Sequence, residues 1–326
     1  MMTLPRPALD PELSDLLTTM PLTTTLTPDL LAQIRQYPST PPETFYGRRT
    51  VQRRELTIPT PDGTHLPLSI FSPAASDAAA PCIYWLHGGG MVMGDRLSQI
   101  DIPLEWLEEF GAVVVSIDYR LAPEANGSTL VDDCYLGLRW IADHADELGI
   151  DPTRIIVAGT SAGGGLAAGI TLMARDHHGP AIAAQILICP MLDHRNTTVS
   201  SHQYAGDPGI WTREKNQFAW QSVLGQATPN PYLSPALADD LSGLPATYID
   251  AGTAEVFRDE DVTYATRIWS AGGQAALHIW PGAFHGFDAV FPQAQLSREA
   301  RHTRTTWLAR TLDQLSPARS AAPLVS

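Results

Sequence analysis

The sequence predicts an α/β fold with a mostly parallel sheet, on the strength of two observations. Short, fully apolar segments alternate with amphipathic segments of helical period from about residue 46 to 190, and again after residue 236. Glycine, proline or short polar residues follow most of the apolar segments and are typical of strand ends. Buried strands that alternate with helices are typical of a parallel sheet covered by helices on both faces.

The chain begins with two short amphipathic segments that precede this pattern. The second opens at Thr27-Pro28, and a cluster of prolines ends it before residue 45. Helical spacing joins the apolar residues of the first segment, which are Leu9, Leu13, Leu16, Leu17 and Met20. We expect residues 1–45 either to fill surface grooves or to form part of a lid over a pocket.

The α/β pattern then gives each strand and helix in turn. Strands are predicted at 49–58, 66–70, 82–86, 113–117, 154–158, 186–189, 246–249 and 277–280. The main helices are predicted near 129–148, directly after residue 161, and at 212–224, 259–271 and 293–315. Residues 191–243 break the alternation and are rich in proline, aspartate, serine and tyrosine, which indicates an insertion.

Composition excludes several classes of partner. The net charge is −14, from 21 basic and 35 acidic residues, which argues against nucleic acid and anionic membrane surfaces. No apolar run approaches the roughly 20 residues of a membrane span, and the first residues do not resemble a signal peptide. We therefore expect a soluble, cytoplasmic protein.

The three cysteines indicate neither disulfides nor a metal. Cys82, Cys134 and Cys189 are far apart, odd in number and placed in apolar segments. Buried free thiols are the favoured interpretation, and a nucleophilic cysteine is the alternative. No metal or cofactor is expected.

The most informative motif is Gly159-Thr160-Ser161-Ala162-Gly163. It lies between a predicted buried strand and a helix whose first residues are small. A sharp turn from strand to helix exposes the serine hydroxyl at the sheet edge, and the glycines allow the close approach of strand and helix. Ser161 is therefore a candidate nucleophile, although such short patterns also occur in ordinary turns.

A serine nucleophile needs a histidine base and an acid, which in open α/β sheets follow it in the order acid, then histidine. Of the ten histidines, His285 is the best candidate, because it lies in the loop after the last predicted strand, where ligands of open sheets bind. The acid is expected in the loop after the preceding strand. There Glu255 is favoured over Asp259, whose charge also suits the start of a helix, and over Asp250 at the strand end.

His87-Gly88-Gly89-Gly90 follows the third predicted strand and has no side chains that would block backbone N–H groups. Two such groups, together with the N–H of Ala162, could bind the oxyanion of a tetrahedral intermediate. The alternatives are a phosphate loop, whose usual motifs are absent, and a flexible turn. His87 itself is expected to brace the loop.

Together these motifs resemble the hormone-sensitive-lipase-like family of bacterial esterases, which are α/β-hydrolases. The matching segments are His87–Gly90, Asp118–Glu124, Gly159–Gly164 and His285–Phe287. The resemblance implies an eight-stranded, mostly parallel sheet flanked by helices, with a helical cap.

By this resemblance, residues 1–45 and 191–235 form the cap, and residues 46–190 and 236–326 form the catalytic domain. Ser161 is the nucleophile, His285 the base, and Gly88, Gly89 and Ala162 donate to the oxyanion. Glu255 stands where most members have aspartate, and Arg258-Asp259-Glu260 matches the usual continuation.

The implied function is cofactor-free hydrolysis of short- to medium-chain acyl esters through an acyl-enzyme on Ser161. A lipase or amidase with the same triad is the alternative, and a ligand-binding receptor on the same fold is a weaker one. Cap and loop sequences predict an apolar pocket, with Met91, Val92, Met93, Trp211 and Phe218 as candidate lining residues. The expected partner is a small-molecule ester, with a second copy of the chain paired through the last strand.

Overall fold

The computed structural model describes residues 4–74 and 79–315. Residues 1–3 were predicted to belong to the cap, and residues 316–326 to the catalytic domain. Both ranges lie outside the described residues. A single sheet contains the eight strands β1 Val51–Pro59, β2 His65–Pro73, β3 Ala80–Leu86, β4 Val113–Ile117, β5 Ile150–Thr160, β6 Ala184–Ile188, β7 Ala246–Ala254 and β8 Ala275–Phe284. Each of the eight predicted strands is present.

The sheet is parallel apart from its first edge. Its strand order is β1-β2-β4-β3-β5-β6-β7-β8, and only β1–β2 and β2–β4 pair antiparallel. Strands β3 to β8 run parallel, so their carboxyl ends meet at one edge of the sheet. The predicted eight-stranded, mostly parallel architecture is confirmed.

Eleven α-helices occur in the described part of the chain, and most connect the strands. They are α1 Pro11–Leu17, α2 Pro28–Ile34, α3 Asp101–Phe110, α4 Thr129–Asp143, α5 Ala145–Leu148, α6 Ala162–Asp176, α7 Val199–Gln203, α8 Arg213–Leu224, α9 Arg258–Ser270, α10 Phe287–Val290 and α11 Gln295–Leu315. The helix predicted near 129–148 is broken at His144, whose ring stacks on Trp140 and is hydrogen-bonded to its carbonyl.

Helices cover both faces of the sheet. On one face α4, α6 and α9 bury apolar side chains against one set of strand residues, such as Tyr84 and Val115. On the other face α3 and α11 pack against the alternate set, such as Trp85 and Val114. Fully buried strands of this kind read as continuous apolar runs, which is why they were recognisable in the sequence.

The N-terminal segment and the insertion meet above the carboxyl ends of the strands. Thr23 and Gly209 form an isolated antiparallel bridge, and the Thr212 hydroxyl donates to the carbonyl of Thr24. Arg35, directly after α2, donates to the carbonyls of Val92 and Ala122. The two segments are therefore anchored to each other, and the N-terminal segment is also anchored to the loops that follow β3 and β4.

Within the residues described, no helix combines the length and apolarity that a membrane span requires. Cys82, Cys134 and Cys189 are buried free thiols, as predicted. Burial raises the pKa of each of these thiols, so none is a ready thiolate nucleophile.

Candidate active site

Ser161 occupies the turn between β5 and α6 in a conformation that few side-chain-bearing residues adopt. Its φ is 56° and its ψ is −120°. Hydrogen bonds hold this turn, since the Ser161 N–H donates to Ile188 O at 2.7 Å and Met191 N–H donates to Ser161 O at 2.9 Å. A positive φ at a non-glycine residue costs free energy and recurs at functional sites.

Two glycines of the predicted motif make this turn sterically possible. A Cβ on Gly159 would lie 2.4 Å from the Gly163 carbonyl carbon, and a Cβ on Gly163 would lie 2.0 Å from Leu86 O. Backbone atoms cannot yield to such contacts, so both positions require glycine. The close packing of α6 on β3 and β5 thus fixes the position of the Ser161 hydroxyl.

His285 and Glu255 complete a hydrogen-bonded chain to Ser161. The His285 Nε2 lies 2.9 Å from Ser161 Oγ, and its Nδ1 lies 2.7 Å from Glu255 Oε2. All three side chains are buried, with 7%, 6% and 1% of Ser161, His285 and Glu255 exposed. The structure therefore brings together the three residues that the sequence singled out.

Each partner is oriented from more than one side. Gly252 N–H donates to Glu255 Oε1 at 2.5 Å, which leaves Oε2 for His285. The Phe257 ring meets the imidazole edge to face, with centroids 5.0 Å apart. The carboxylate and the aromatic wall hold the imidazole so that Nε2 faces the serine hydroxyl.

The two alternative acids lie elsewhere. Asp259 accepts from the Ser200 N–H at 2.7 Å and pairs with Arg258 at 2.8 Å, within the first turn of α9. Asp250 is buried and pairs with Arg304 at 2.9 Å. Neither carboxylate is hydrogen-bonded to His285, which favours Glu255.

The glycine loop after β3 presents backbone N–H groups beside Ser161. The Gly88 N–H already donates to Gln99 Oε1 at 2.9 Å. By contrast, the N–H groups of Gly89, Gly90 and Ala162 have no acceptor among the described residues. Gly90 therefore replaces Gly88 among the candidate oxyanion donors.

Close packing requires glycine in this loop. A Cβ on Gly89 would lie 2.1 Å from Met93 O, and one on Gly90 would lie 2.3 Å from the Trp211 ring. His87 braces the loop from below, since its buried ring stacks on Tyr119 and its Nδ1 is hydrogen-bonded to Gly88 O. Burial lowers the pKa of His87, which keeps its imidazole neutral.

A cavity of about 520 Å³ opens onto Ser161 and His285. Its walls come from the N-terminal segment, the insertion and the helix after His285, and they are mostly apolar. The main apolar contributors are Leu22, Leu26, Leu30, Ile34, Met93, Ile210, Trp211, Ala289 and Val290. Trp211 and Met93 thus line the pocket, as expected.

Met91, Val92 and Phe218 do not line the cavity, which corrects three of the expected lining residues. A φ of 60° at Met91 turns its side chain inward, and Met91 and Val92 are completely buried in the main core. Phe218 packs against the same core from α8. Met91 and Val92 were expected in the pocket because they follow the glycine loop, and Phe218 because it lies on the insertion helix. These sequence positions do not indicate the direction of the side chains.

One cluster among the described residues has the composition of a metal site. Potential ligand atoms of Cys189, Glu255 and His285 lie within 4.8 Å of one another. Glu255 and His285 are already hydrogen-bonded to each other, and burial beside Glu255 raises the pKa of the Cys189 thiol. A protonated thiol is a poor ligand, so the donor set fits a catalytic triad better than a metal.

Comparison with known proteins identifies the family. A family described as having the alpha/beta hydrolase fold matches residues 83–289, which include the glycine loop, Ser161, Glu255 and His285. The chain belongs to the α/β-hydrolases. Among these α/β-hydrolases it is similar to the carboxylesterase NlhH of Mycobacterium tuberculosis, at 33% identity over 90% of this chain and 93% of the relative.

Further similarities agree with the resemblance to hormone-sensitive-lipase-like esterases, which is confirmed. The esterase LipI of Mycobacterium tuberculosis is 30% identical over 86% of this chain and 88% of the relative. Among solved structures, a bacterial heroin esterase superposes with a TM-score of 0.85 at 35% identity, covering 94% of this chain and 98% of that one.

Sequence reasoning missed Gln99, Ile210 and Lys215, which line the pocket of this α/β-hydrolase, and Gly90 as a free donor. Gln99 and Ile210 have no sequence signal, because only the tertiary fold brings them to the site. Lys215 had one signal, since it is the only lysine in the chain.

Proposed function

We propose that this carboxylic ester hydrolase works through an acyl-enzyme intermediate on Ser161. The observation that carries the proposal is the continuous hydrogen-bond chain from Glu255 through His285 to Ser161 Oγ. A serine hydroxyl is a weak nucleophile until an adjacent base removes its proton. The relatives named carboxylesterase and esterase support the same reaction class.

In the proposed first step, Ser161 Oγ attacks the ester carbonyl carbon while His285 Nε2 takes the hydroxyl proton. The negative charge on the carbonyl oxygen is stabilised by the N–H groups of Gly89, Gly90 and Ala162. Collapse of this tetrahedral intermediate breaks the ester bond, and the proton on Nε2 passes to the leaving alcohol. Glu255 orients the imidazole and stabilises its positive charge throughout.

In the second step, water attacks the acyl-enzyme. His285 Nε2 removes a proton from this water, and the same three N–H groups stabilise the second tetrahedral intermediate. Its collapse releases the carboxylic acid and returns the proton to Ser161 Oγ. No cofactor is required, because every proton transfer is made by the triad.

We propose short- to medium-chain acyl esters as substrates, admitted by a cap formed by residues 1–45 and 191–235. A cavity of about 520 Å³ with apolar walls supports this size class, since small-ligand pockets fall in the range of about 300–1,000 Å³. The test is a series of 4-nitrophenyl acetate, butyrate, octanoate and palmitate. Highest kcat/KM on palmitate would favour the lipase alternative, and faster cleavage of the matching anilides would favour an amidase.

Substitution of the nucleophile tests the mechanism itself. We expect Ser161→Ala to lower kcat on 4-nitrophenyl butyrate by about 10⁴- to 10⁶-fold and to abolish covalent labelling by a fluorophosphonate. Circular dichroism and thermal melting check that the variant is folded. A folded Ser161→Ala protein that retains esterase activity would contradict the assignment, and a wild-type protein that resists labelling would favour the receptor alternative.

We also propose a homodimer and a cytoplasmic location. The dimer is supported by β8, which pairs only with β7 and leaves its other edge unpaired within the sheet. The location is supported by three buried thiols that form no disulfide with one another. Light scattering after size-exclusion chromatography tests the first proposal, and cell fractionation with an antibody tests the second.

A further inference from the structure

Lys215 is a buried cation at the active-site pocket. It lies in the first turn of α8, is only 7% exposed, and lines the same cavity as Ser161 and His285. Among the described lining residues it is the only lysine, arginine, aspartate or glutamate. The pocket therefore has apolar walls, the catalytic histidine and one ammonium group.

The helix does not account for a lysine at this position. Thr212 caps α8, and its hydroxyl accepts the Lys215 N–H at 3.1 Å, so Lys215 occupies the third position of the helix. Glutamate or glutamine is usual there, since it completes a capping box, and positive charge is unfavourable near a helix N-terminus. Lys215 thus opposes the local electrostatic preference.

No described carboxylate compensates the charge of Lys215. Its Nζ donates to two neutral carbonyls, Gly209 O at 2.7 Å and Ile210 O at 3.2 Å. None of the ion pairs in the described part of the chain includes it, although the protein carries a net charge of −14. Burial lowers the pKa of Lys215 to about 8, so the side chain is still mostly cationic at neutral pH.

An ammonium group has three N–H donors, and the two carbonyls use two of them. The third donor has no partner among the described residues, on a side chain that borders the cavity. A buried charge without a counter-ion costs free energy, which a bound anion would offset. A buried cation with an unpaired N–H at the edge of a cavity is typical of a site that binds an anion.

We propose that Lys215 binds a carboxylate group of the substrate, so that the protein hydrolyses esters that also carry a free carboxylate. The inference rests on the proposed serine-esterase function and narrows its substrate class. The carboxylate belongs either to the acyl part or to the alcohol part of the ester, and the experiment distinguishes the two.

Two pairs of substrates, matched in length, test the proposal at pH 7. The acyl pair is 4-nitrophenyl pentanoate and mono-4-nitrophenyl glutarate, followed by absorbance. The alcohol pair is propyl butanoate and 3-(butanoyloxy)propanoate, followed by pH-stat. For each pair, the measured quantity is kcat/KM for the anionic ester divided by kcat/KM for the neutral ester. We expect Lys215→Met to lower this ratio by about 10- to 100-fold in one of the two pairs, because a charged hydrogen bond is lost. The pair that responds shows whether the carboxylate belongs to the acyl or to the alcohol part.

Two further variants separate binding from structure. Lys215→Arg keeps the charge and should retain most of the ratio. Arg213→Met removes a charge from the same helix outside the lining residues, and it should leave the ratio unchanged. If Lys215→Met does not fold, the wild-type protein still tests the proposal. Glutarate should then inhibit the hydrolysis of 4-nitrophenyl pentanoate competitively, at concentrations where the uncharged 1,5-pentanediol does not.

Equal losses on both members of each pair in Lys215→Met would overturn the proposal, because they would mean that Lys215 only holds the 209–210 backbone. Wild-type rejection of both anionic esters by more than about 100-fold, with no inhibition by glutarate, would also overturn it. Failure of the proposed esterase function would give a different result. In that case none of the four esters would be hydrolysed in a way that depends on Ser161.

Discussion

Glu255 uses its two carboxylate oxygens for two tasks. Oε1 accepts the N–H of Gly252 and fixes the side chain, while Oε2 faces His285 Nδ1. This anchoring explains how the longer side chain of glutamate can take the place of the aspartate that the family resemblance leads one to expect. The extra methylene is accommodated by tying the carboxylate back to the end of β7.

Replacement of Glu255 should therefore be far more damaging than replacement of Asp259. Glu255→Gln removes the negative charge that stabilises the imidazolium, and we expect kcat to fall by about 10³- to 10⁴-fold. Asp259→Asn should change kcat by less than about threefold, because Asp259 contacts Ser200 and Arg258 instead. Steady-state assays on 4-nitrophenyl butyrate compare the two, and a larger loss at Asp259 would reassign the acid.

Asp261, six residues after Glu255 along the chain, is a buried carboxyl with no hydrogen-bond partner in the described structure. Burial, with the nearby Glu260 and Glu255 charges, raises its pKa well above the usual range. The folded protein therefore holds a proton that the unfolded chain releases near pH 4. Stability must fall as the pH rises from that value towards the folded pKa.

Asp261→Asn should remove this dependence. We expect the variant to gain thermal stability relative to wild type, and to gain more at pH 8 than at pH 5, since the free-energy cost of taking up this proton on folding grows as the pH rises above the unfolded pKa. Melting curves at both values measure the difference. Asp239→Asn, at an exposed aspartate, is the control and should show no such trend; equal gains for Asp261→Asn at both pH values would contradict the prediction.

At the scale of elements, α2 forms one wall of the pocket, and an arginine directly after it binds two loops of the catalytic domain. Arg35 donates to Val92 O at 2.7 Å and Ala122 O at 2.6 Å, and it pairs with Glu124 at 2.7 Å. Leu30 and Ile34 on α2 face the cavity. The position of this apolar wall therefore depends on contacts that begin just beyond the end of the helix.

Loss of these contacts should weaken substrate binding without affecting the chemical step. We expect Arg35→Ala to raise KM for 4-nitrophenyl hexanoate by about 3- to 10-fold, with kcat nearly unchanged, since hydrogen bonds of charged groups contribute on this scale. Arg54→Ala, which removes an exposed ion pair with Glu147, is the control. An unchanged KM in Arg35→Ala would show that α2 keeps its place without Arg35.

The elements also show what the sequence could predict. Every strand was recognisable, although for two different reasons. The central strands are continuous apolar runs bounded by turn residues, whereas β1 and β2 show the alternation of apolar and polar residues that is typical of strands at a sheet edge. The short helices α7 and α10 were not predicted, since four or five residues are too few to establish a helical period. The break at His144 was missed as well, because the amphipathic pattern continues across it.

Over the whole molecule, a buried ion-pair network ties α11 to the sheet. Arg304 is 1% exposed and pairs with Asp250 of β7 at 2.9 Å and with Asp288 of α10 at 3.0 Å. Next to it, Arg301 pairs with Asp101 and Glu105 of α3. The network joins elements from three distant parts of the chain beneath the loop that carries His285.

Removal of Arg304 should destabilise the fold strongly. Arg304→Met leaves Asp250 buried without an ion pair and Asp288 with only the more distant Arg301, and we expect the free energy of unfolding to fall by about 3–5 kcal/mol. Urea denaturation followed by tryptophan fluorescence measures this. The exposed Arg310 on the same helix provides the control, and Arg310→Met should change stability by less than about 0.5 kcal/mol; equal effects would mean that the network contributes little.

The sequence predicted those residues of the site that directly follow strand ends, and it did not predict most of the others. Ser161, Glu255 and His285 come directly after parallel strands, so topology alone brings them to one edge. The partners that refine the site, such as Gln99 on Gly88 or Trp211 over Gly90, depend on how distant loops pack. The inward turn of Met91 is a backbone property that its residue type does not indicate.

The left-handed backbone at Ser161 has a consequence for the stability of variants that lack the serine hydroxyl. A strained residue of this kind lowers stability by about 1–3 kcal/mol, and alanine retains that strain whereas glycine relieves it. We expect Ser161→Gly to melt at or above the temperature of Ser161→Ala, despite the greater chain entropy of glycine when unfolded. A lower melting temperature for Ser161→Gly would indicate an unstrained turn. If the prediction holds, evolution has kept the less stable residue at this turn because it is the reactive one.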